Sequence, residues 1–197
     1  MTHEQLLALA AFAFVTSITP GPNNLMLMAS GANFGVRRTV PHMLGVAVGF
    51  VFMTVLVGAG LAQAFVAVPQ LYTALKVVSV AYLLFLSWKI VTVPPPGEAA
   101  RAGRPMTFLA AAAFQWVNPK AWAMALTAVS VYTPSQTAAG ILAVAIVFGI
   151  VNLPSVGTWA VLGQGMRRVL TNPVRMKAFN VLMAVLLVAS LYPVLLH

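Results

Sequence analysis

Two short polar segments interrupt long apolar stretches, and both contain residue types that bind a charged solute. The first reads TPGPNN at residues 19–24, and the second reads NPK at residues 118–120. A proline inside a helix removes one hydrogen bond and clashes with the carbonyl four residues earlier. Each segment is therefore expected to end one helix, start another and leave backbone groups free to bind a ligand.

The first segment is expected to release carbonyl groups and to begin a half-helix. Pro20 frees the carbonyl of Thr16, and Gly21 allows the backbone to leave helical angles at low cost. Either asparagine of the pair after Pro22 is a good cap for a half-helix that starts near Leu25. The bland alternative is a structural kink with no ligand.

Lys120, in the second segment, supplies a positive charge in an apolar setting. A lysine near the centre of a membrane span costs about 2.5–3.5 kcal/mol, so it needs a partner. With the N-terminus of the half-helix, Lys120 suits a carboxylate, while the Thr16 carbonyl with Asn118 or Asn152 suits an ammonium group. The alternative is that Lys120 snorkels to the outer interface. The candidate binding residues are Thr16, Pro20, Gly21, Pro22, Asn23, Asn24, Asn118, Pro119, Lys120 and Asn152.

The composition places these segments in a membrane protein. Hydrophobic residues make up 61% of the 197 residues, charged residues make up 7%, and the mean hydropathy is +0.95. A soluble domain carries roughly 25% charged residues, so this chain cannot cover a soluble surface. The sequence contains no cysteine, which excludes disulfides, thiol catalysis and cysteine metal sites.

Six apolar segments are long enough to cross a bilayer, which takes roughly 20 helical residues. They lack the alternation of a membrane β-barrel, so an all-α membrane protein with six transmembrane helices is predicted. The predicted spans are 5–29, 41–63, 69–91, 106–130, 136–162 and 177–196.

The basic residues predict the direction of insertion. The loops after the first, third and fifth spans carry arginines, whereas the loops after the second and fourth spans contain neither lysine nor arginine. The positive-inside rule makes the odd-numbered loops cytoplasmic and puts both termini outside. The net charge of +9 is thereby assigned to contacts with anionic lipid headgroups rather than nucleic acid.

A Pro/Gly/Ala-rich segment divides the single transmembrane domain (1–197) into two halves. Residues 93–105, VPPPGEAARAGRP, are expected to form a cytoplasmic linker between one three-helix repeat at 1–92 and another at 106–197. An odd number of spans per half inverts the second half, and each half begins with a broken helix. Paired interrupted spans in inverted repeats mark the binding site of a transporter.

Several stretches resemble the LysE/RhtB family of amino-acid exporters. They are ITPGPNNLMLMASGANFGVRRTVPHMLGVAVGF, NPKAW, NLPS and FNVLMAVLLVASLYPV. The resemblance implies export of amino acids or their derivatives across the bacterial inner membrane, driven by proton motive force. The chain departs from some family members, which carry an aspartate where Phe50 stands, and no predicted span holds Asp or Glu.

We therefore expect a secondary active exporter whose partners are an amino-acid substrate and membrane lipids, and a homodimer is compatible with this. A passive channel and a non-transporting scaffold are alternatives. A membrane-embedded lipid enzyme is a weaker one, because it would need grouped acids and histidines. The histidines at 3, 42 and 197 are far apart in the sequence, and His42 is expected to be solvated at the interface. No catalytic residue, metal site or cofactor is predicted.

Overall fold

The computed structural model describes residues 1–93, 103–133 and 137–192. These residues form helices joined by short connections and contain no β-strand, which confirms the all-α prediction for this part of the chain. Most of the predicted linker, including Glu98 and Arg101, lies outside the described residues. The helices are α1 (His3–Ile18), α2 (Pro22–Phe34), α3 (Val36–Leu56), α4 (Ala62–Ala67), α5 (Gln70–Val91), α6 (Phe108–Phe114), α7 (Pro119–Tyr132), α8 (Ala138–Met166) and α9 (Pro173–Ala189).

Among the described residues, three helical stretches are long and apolar enough to cross a membrane, namely Val36–Ala67, Gln70–Val91 and Ala138–Met166. The Val36–Ala67 stretch comprises α3, a π-helical turn and α4. A fourth span is present if α1 and α2, which are bent by 54° at their junction, are counted as one broken span.

The predicted fourth and sixth spans do not reach the same length as single helices. The fourth is divided into α6 with 7 residues, a 3₁₀ turn, and α7 with 14 residues. The sixth is represented by α9 with 17 residues. The six-span count and the inverted-repeat arrangement therefore stay predictions.

The long helix α8 is the centre of the packing, since α1, α2 and α3 all lie against it. Its closest neighbour is α2, where glycines bring the two backbones together. A Cβ atom at Gly31 would collide with the backbone of Ala160, and one at Gly163 would collide with the carbonyl of Met28. Small residues at such crossings allow membrane helices to pack closely, and here they hold α2 firmly on α8.

A second close crossing joins α3 to α6 across the two halves of the sequence. A Cβ atom at Gly45 would meet the backbone of Phe108, and one at Gly49 would lie 2.6 Å from the Cα atom of Ala112. The half-helix α6 is thereby fixed beside the broken α1–α2 pair, which also packs on α3 and α8.

The connections that carry the basic residues meet at one end of the molecule. The backbone N–H of Val36 donates to Oε1 of Gln164 at 2.7 Å, and Nη2 of Arg38 donates to the carbonyl of Gly103 at 3.0 Å. We call this the basic end. At the opposite end the hydroxyl of Tyr132 donates to the carbonyl of Ala8 at 3.2 Å.

Candidate functional site

The first predicted break is present where the sequence placed it. Helix α1 ends at Ile18 and α2 begins at Pro22. Between them the backbone is extended, with φ −65° and ψ 147° at Thr19 and with φ 178° and ψ 176° at Gly21. The carbonyls at the end of α1 therefore lose their helical partners.

Side chains from elsewhere replace those partners. The amide Nδ2 of Asn24 donates to the carbonyl of Ser17 at 2.8 Å and to that of Thr19 at 2.7 Å. The indole Nε1 of Trp159, on α8, donates to the carbonyl of Ile18 at 3.0 Å. The break is thus stabilised by contacts that depend on the folded bundle.

The predicted capping of the half-helix by Asn23 or Asn24 is wrong. Gly21 is the residue at the N-cap of α2, and no side chain caps this helix. Because the helix already begins at Pro22, both asparagines lie inside its first turn, beyond the position from which a side chain can cap. Asn24 turns back to the end of α1 instead, where it is 3% exposed.

Gly21 has a different role from the one predicted. Its extended backbone suits any residue, so conformational freedom is not the requirement at this position. The requirement is space, because a Cβ atom there would lie 2.7 Å from Cδ of Lys120. The carbonyl of Thr16, which was expected to be free, accepts a hydrogen bond from the Thr19 hydroxyl at 3.1 Å.

The second predicted break is also present, and it is shorter. Helix α6 passes into a 3₁₀ turn over Gln115–Val117, Asn118 is extended, and α7 begins at Pro119. Oδ1 of Asn118 caps α7 by accepting from the backbone N–H of Lys120 at 3.2 Å. Proline suits the first position of a helix, because its missing N–H needs no partner there.

The Lys120 side chain joins the two breaks. Its Nζ donates to the Thr19 carbonyl at 2.8 Å, to the Thr19 hydroxyl at 3.0 Å and to the Pro20 carbonyl at 3.3 Å. The side chain is half-buried, so its charge is compensated by carbonyl dipoles of the first break. In this arrangement the ammonium group is bound by backbone carbonyls and a hydroxyl of the first break.

A pair of amides, of which Gln115 is buried and Asn23 partly buried, forms a second connection between the breaks. Nδ2 of Asn23 donates to Oε1 of Gln115 at 2.8 Å, and Nε2 of Gln115 donates back to Oδ1 of Asn23 at 3.2 Å. Gln115 is 0% exposed and also donates to the carbonyl of Ala111. Sequence reasoning missed this side chain, although a glutamine four residues before Pro119 in an apolar stretch was a usable signal.

A small cavity lies between the two breaks, and the space open to the centre of a water molecule in it is about 20 Å³. Most of the predicted binding residues line it, but Pro20, Pro22 and Pro119 do not. The cavity is lined by Thr16, Ser17, Gly21, Asn23, Asn24, Phe50, Asn118, Lys120, Ala121, Met124, Asn152 and Val156.

Asn152 presents an acceptor at the wall of this cavity. Its Nδ2 donates to the hydroxyl of Ser17 at 3.3 Å, while its buried Oδ1 has no hydrogen-bond partner in the described part of the chain. Leaving a buried polar atom unpaired costs about 1–3 kcal/mol. The cavity therefore combines an ammonium donor at Lys120 with an oxygen acceptor at Asn152.

Apolar helices that can span a bilayer, with a polar cavity between two helix breaks, are typical of membrane transporters. The chain belongs to the LysE type translocator family, which matches residues 14–190. This confirms the family that the sequence motifs suggested. The chain is accordingly an integral membrane protein of a family of translocators.

Curated relatives cover almost the full length of the chain. A cysteine/O-acetylserine efflux protein from Salmonella typhimurium is 31% identical over 95% of this chain and 96% of the relative. The protein of the same name from Escherichia coli is 29% identical over the same shares. No solved structure matches the chain significantly.

Proposed function

We propose that the protein is a secondary active exporter of small neutral amino acids or their derivatives across the bacterial inner membrane. Cysteine and O-acetylserine, which name the relatives, are the first substrates to test. The observation that carries the proposal is the contact of Lys120 Nζ with the carbonyls of Thr19 and Pro20. That contact brings a cation and backbone acceptors together beside a cavity that Lys120 lines.

A zwitterionic substrate matches both halves of this cavity. Its carboxylate would take the ammonium of Lys120 and the positive N-terminal end of α2. Its ammonium group would take Oδ1 of Asn152 and the carbonyls that Lys120 releases, such as that of Thr19. The substrate would thus replace the existing hydrogen bonds between Lys120 and the first break. Lys120 and both charged groups of the substrate would each have a partner.

The exchange also requires the cavity to enlarge. The present cavity has a volume of about 20 Å³, which is too small for an amino acid. When Lys120 turns from the first break to the substrate carboxylate, it vacates the position beside Gly21 that it now fills. Substrate binding is therefore coupled to movement of the two breaks relative to each other.

The direction and energy source complete the proposal. We assign the basic end to the cytoplasm, both termini to the outside, and the driving force to proton motive force. The halves 1–92 and 106–197 are proposed to be inverted repeats, with the first and fourth spans broken at the site. Anionic lipids would contact the basic end, and a homodimer stays a prediction.

Efflux measurements test the transport proposal. Inverted membrane vesicles that contain the protein should accumulate labelled cysteine or O-acetylserine above equilibrium when a proton gradient is imposed. A protonophore should abolish this accumulation. Equilibration without accumulation would identify a passive channel, and no movement of either compound would remove the proposed function for these substrates.

Cysteine labelling tests the assigned orientation, and the cysteine-free sequence gives no background. In intact cells an impermeant maleimide should label Gln63→Cys, which is exposed where the predicted second span ends. Arg168→Cys, which lies at the basic end, should not be labelled in intact cells. It should be labelled once the cells are permeabilised. Outside labelling of Arg168→Cys would reverse the assigned direction.

A further inference from the structure

A second and much larger cavity lies at the basic end, bounded by α2, α3, α5 and the start of α6. Its space is about 580 Å³, which is ample for a small amino acid. The cavity is not part of the predicted site, and none of the candidate binding residues lines it.

The mouth of this cavity is positively charged. Lys89, in the last turn of α5, and Arg104, just before α6, line it from different elements. Nζ of Lys89 lies 5.0 Å from the ring centroid of Phe85, and both cationic side chains are exposed. Of the described residues only Glu4 is acidic, and it lies in the first turn of α1.

The wall of the cavity includes polar side chains. Ser30 and Asn33 contribute from α2, Thr107 from the start of α6, and His42 from α3. His42 is 2% exposed, in contrast to the solvated position expected, and neither ring nitrogen has a hydrogen-bond partner among the described residues. A buried imidazole without partners is costly, and a polar ligand in this cavity would satisfy it after a small side-chain movement.

The two cavities follow each other along α2. Asn23 and Asn24 line the small cavity, whereas Met26 and Ser30, one and two turns later, line the large one. On the opposite side Asn118 lines the small cavity and Ala110 the large one.

The Asn23–Gln115 amide pair lies between the residues that line the two cavities on both elements. Its reciprocal hydrogen bonds, at 2.8 and 3.2 Å, tie α2 to the 3₁₀ turn that follows α6.

We infer that the large cavity is the loading site of the exporter, in which Lys89 and Arg104 bind the carboxylate of the amino acid before it reaches Lys120. The Asn23–Gln115 pair is the partition that opens for this transfer. A lipid headgroup would also pair with the two cations, but the unpaired ring nitrogens of His42 in the wall favour a small polar solute over an acyl chain. The inference rests on the proposed export function.

Substrate kinetics in inverted vesicles test the inference, because the cytoplasmic face then meets the labelled amino acid. The double variant Lys89→Gln with Arg104→Gln should raise KM about tenfold with Vmax little changed, the size expected for losing a charge-assisted hydrogen bond. The matched control is Arg175→Gln with Lys177→Gln. It removes the same charge near the start of α9 from exposed positions and should leave KM unchanged.

A steric variant tests the same cavity independently. Ala110→Phe should fill space in the large cavity and lower transport several-fold. Ala113→Phe, at an exposed position of the same helix, should not. If Ala110→Phe fails to reach the membrane, the KM of the Lys89 and Arg104 double variant alone tests the loading site.

The outcomes separate the inference from the proposed function. Failure of the wild-type protein to transport would overturn the proposed function. Wild-type transport with an unchanged KM in the charge variant would overturn the loading site alone. KM measurements in proteoliposomes of phosphatidylcholine, with and without phosphatidylglycerol, distinguish an amino acid from a lipid headgroup as the ligand of the two cations. A KM effect that requires the anionic lipid would assign the two cations to a headgroup and also overturn the inference.

Discussion

The two helix breaks meet at one cavity but are stabilised in different ways. At the first break, donors from α8 and α7 reach the carbonyls of Ile18, Thr19 and Pro20. At the second break, Asn118 caps its own helix, and the indole of Trp122 donates to the carbonyl of Trp116 six residues earlier at 2.9 Å. The first break therefore receives donors from two distant helices as well as the local Asn24. The second has a local cap and a local indole donor, and its contact with a distant helix is the Gln115–Asn23 pair.

Under the proposed function, this difference predicts different parts for the two breaks in transport. The second break holds Lys120 at the start of α7, where the local Asn118 side chain caps the helix. The first break presents carbonyls whose partners can be exchanged, because Lys120 contacts them through a flexible side chain. We therefore expect a substrate that competes for Lys120 to act on the first break and to leave the second intact.

The largest expected effect comes from removing the side chain that joins the breaks. Lys120→Ala should abolish efflux, because it removes both the carboxylate partner and the donor to the Thr19 carbonyl. Lys120→Arg should impair efflux, since a planar guanidinium does not reproduce a compact ammonium. Initial efflux rates at matched membrane expression measure both. Lys177→Ala, at an exposed position of α9, is the control. Wild-type rates in Lys120→Ala would exclude the lysine from the site.

The next effect comes from abolishing the first break itself. Replacing Pro20, Gly21 and Pro22 together by alanine should allow one continuous helix, with normal membrane insertion but efflux at background level. Pro41→Ala is the control, because Pro41 lies within the continuous helix α3. Efflux assays and membrane fractionation measure the two properties. If the triple variant still transports, the segment is only a kink.

A smaller effect, on stability, should distinguish the two kinds of support. Asn24→Ala leaves the carbonyls of Ser17 and Thr19 without their amide donor. We expect a loss of about 1–3 kcal/mol for an unsatisfied buried group, seen as a lower thermal transition in detergent. Asn172→Ala removes an exposed cap of α9 and should cost less. Equal losses would contradict the dependence of the first break on buried side chains.

The smallest effect is expected at the locally supported break. Asn118→Ala removes the cap of α7 and should cost about 1 kcal/mol, with reduced but measurable efflux. Asn118→Asp keeps an acceptor for the N–H of Lys120 and should recover most of the stability. Thermal unfolding of the two variants side by side makes this comparison. A larger loss in Asn118→Ala than in Asn24→Ala would reverse the ranking of the two breaks.

The positions of both breaks could be predicted from sequence because proline acts locally. A proline in a helix interior removes the hydrogen bond to the carbonyl four residues earlier. Pro20 and Pro119 each follow the end of a helix, although α3 continues through Pro41. Lys120 and Asn152 could be nominated for a similar reason, because polar side chains in apolar segments require partners.

The partners themselves could not be predicted, because they depend on how helices from different parts of the sequence meet. The sequence made Asn24 a plausible cap. Because the helix begins at Pro22, the amide of Asn24 instead donates to carbonyls at the end of α1. The pairing of Asn23 with Gln115 joins residues far apart in the sequence.

The two indole hydrogen bonds make the protein a candidate for optical study without an attached dye. Trp159 reports on the first break through the Ile18 carbonyl, and Trp122 reports on the second through the Trp116 carbonyl. Changing Trp88 and Trp116 to phenylalanine would leave one fluorophore at each break. Added amino acid should then shift the emission of Trp159, while that of Trp122 stays constant, so conformational changes become visible in real time.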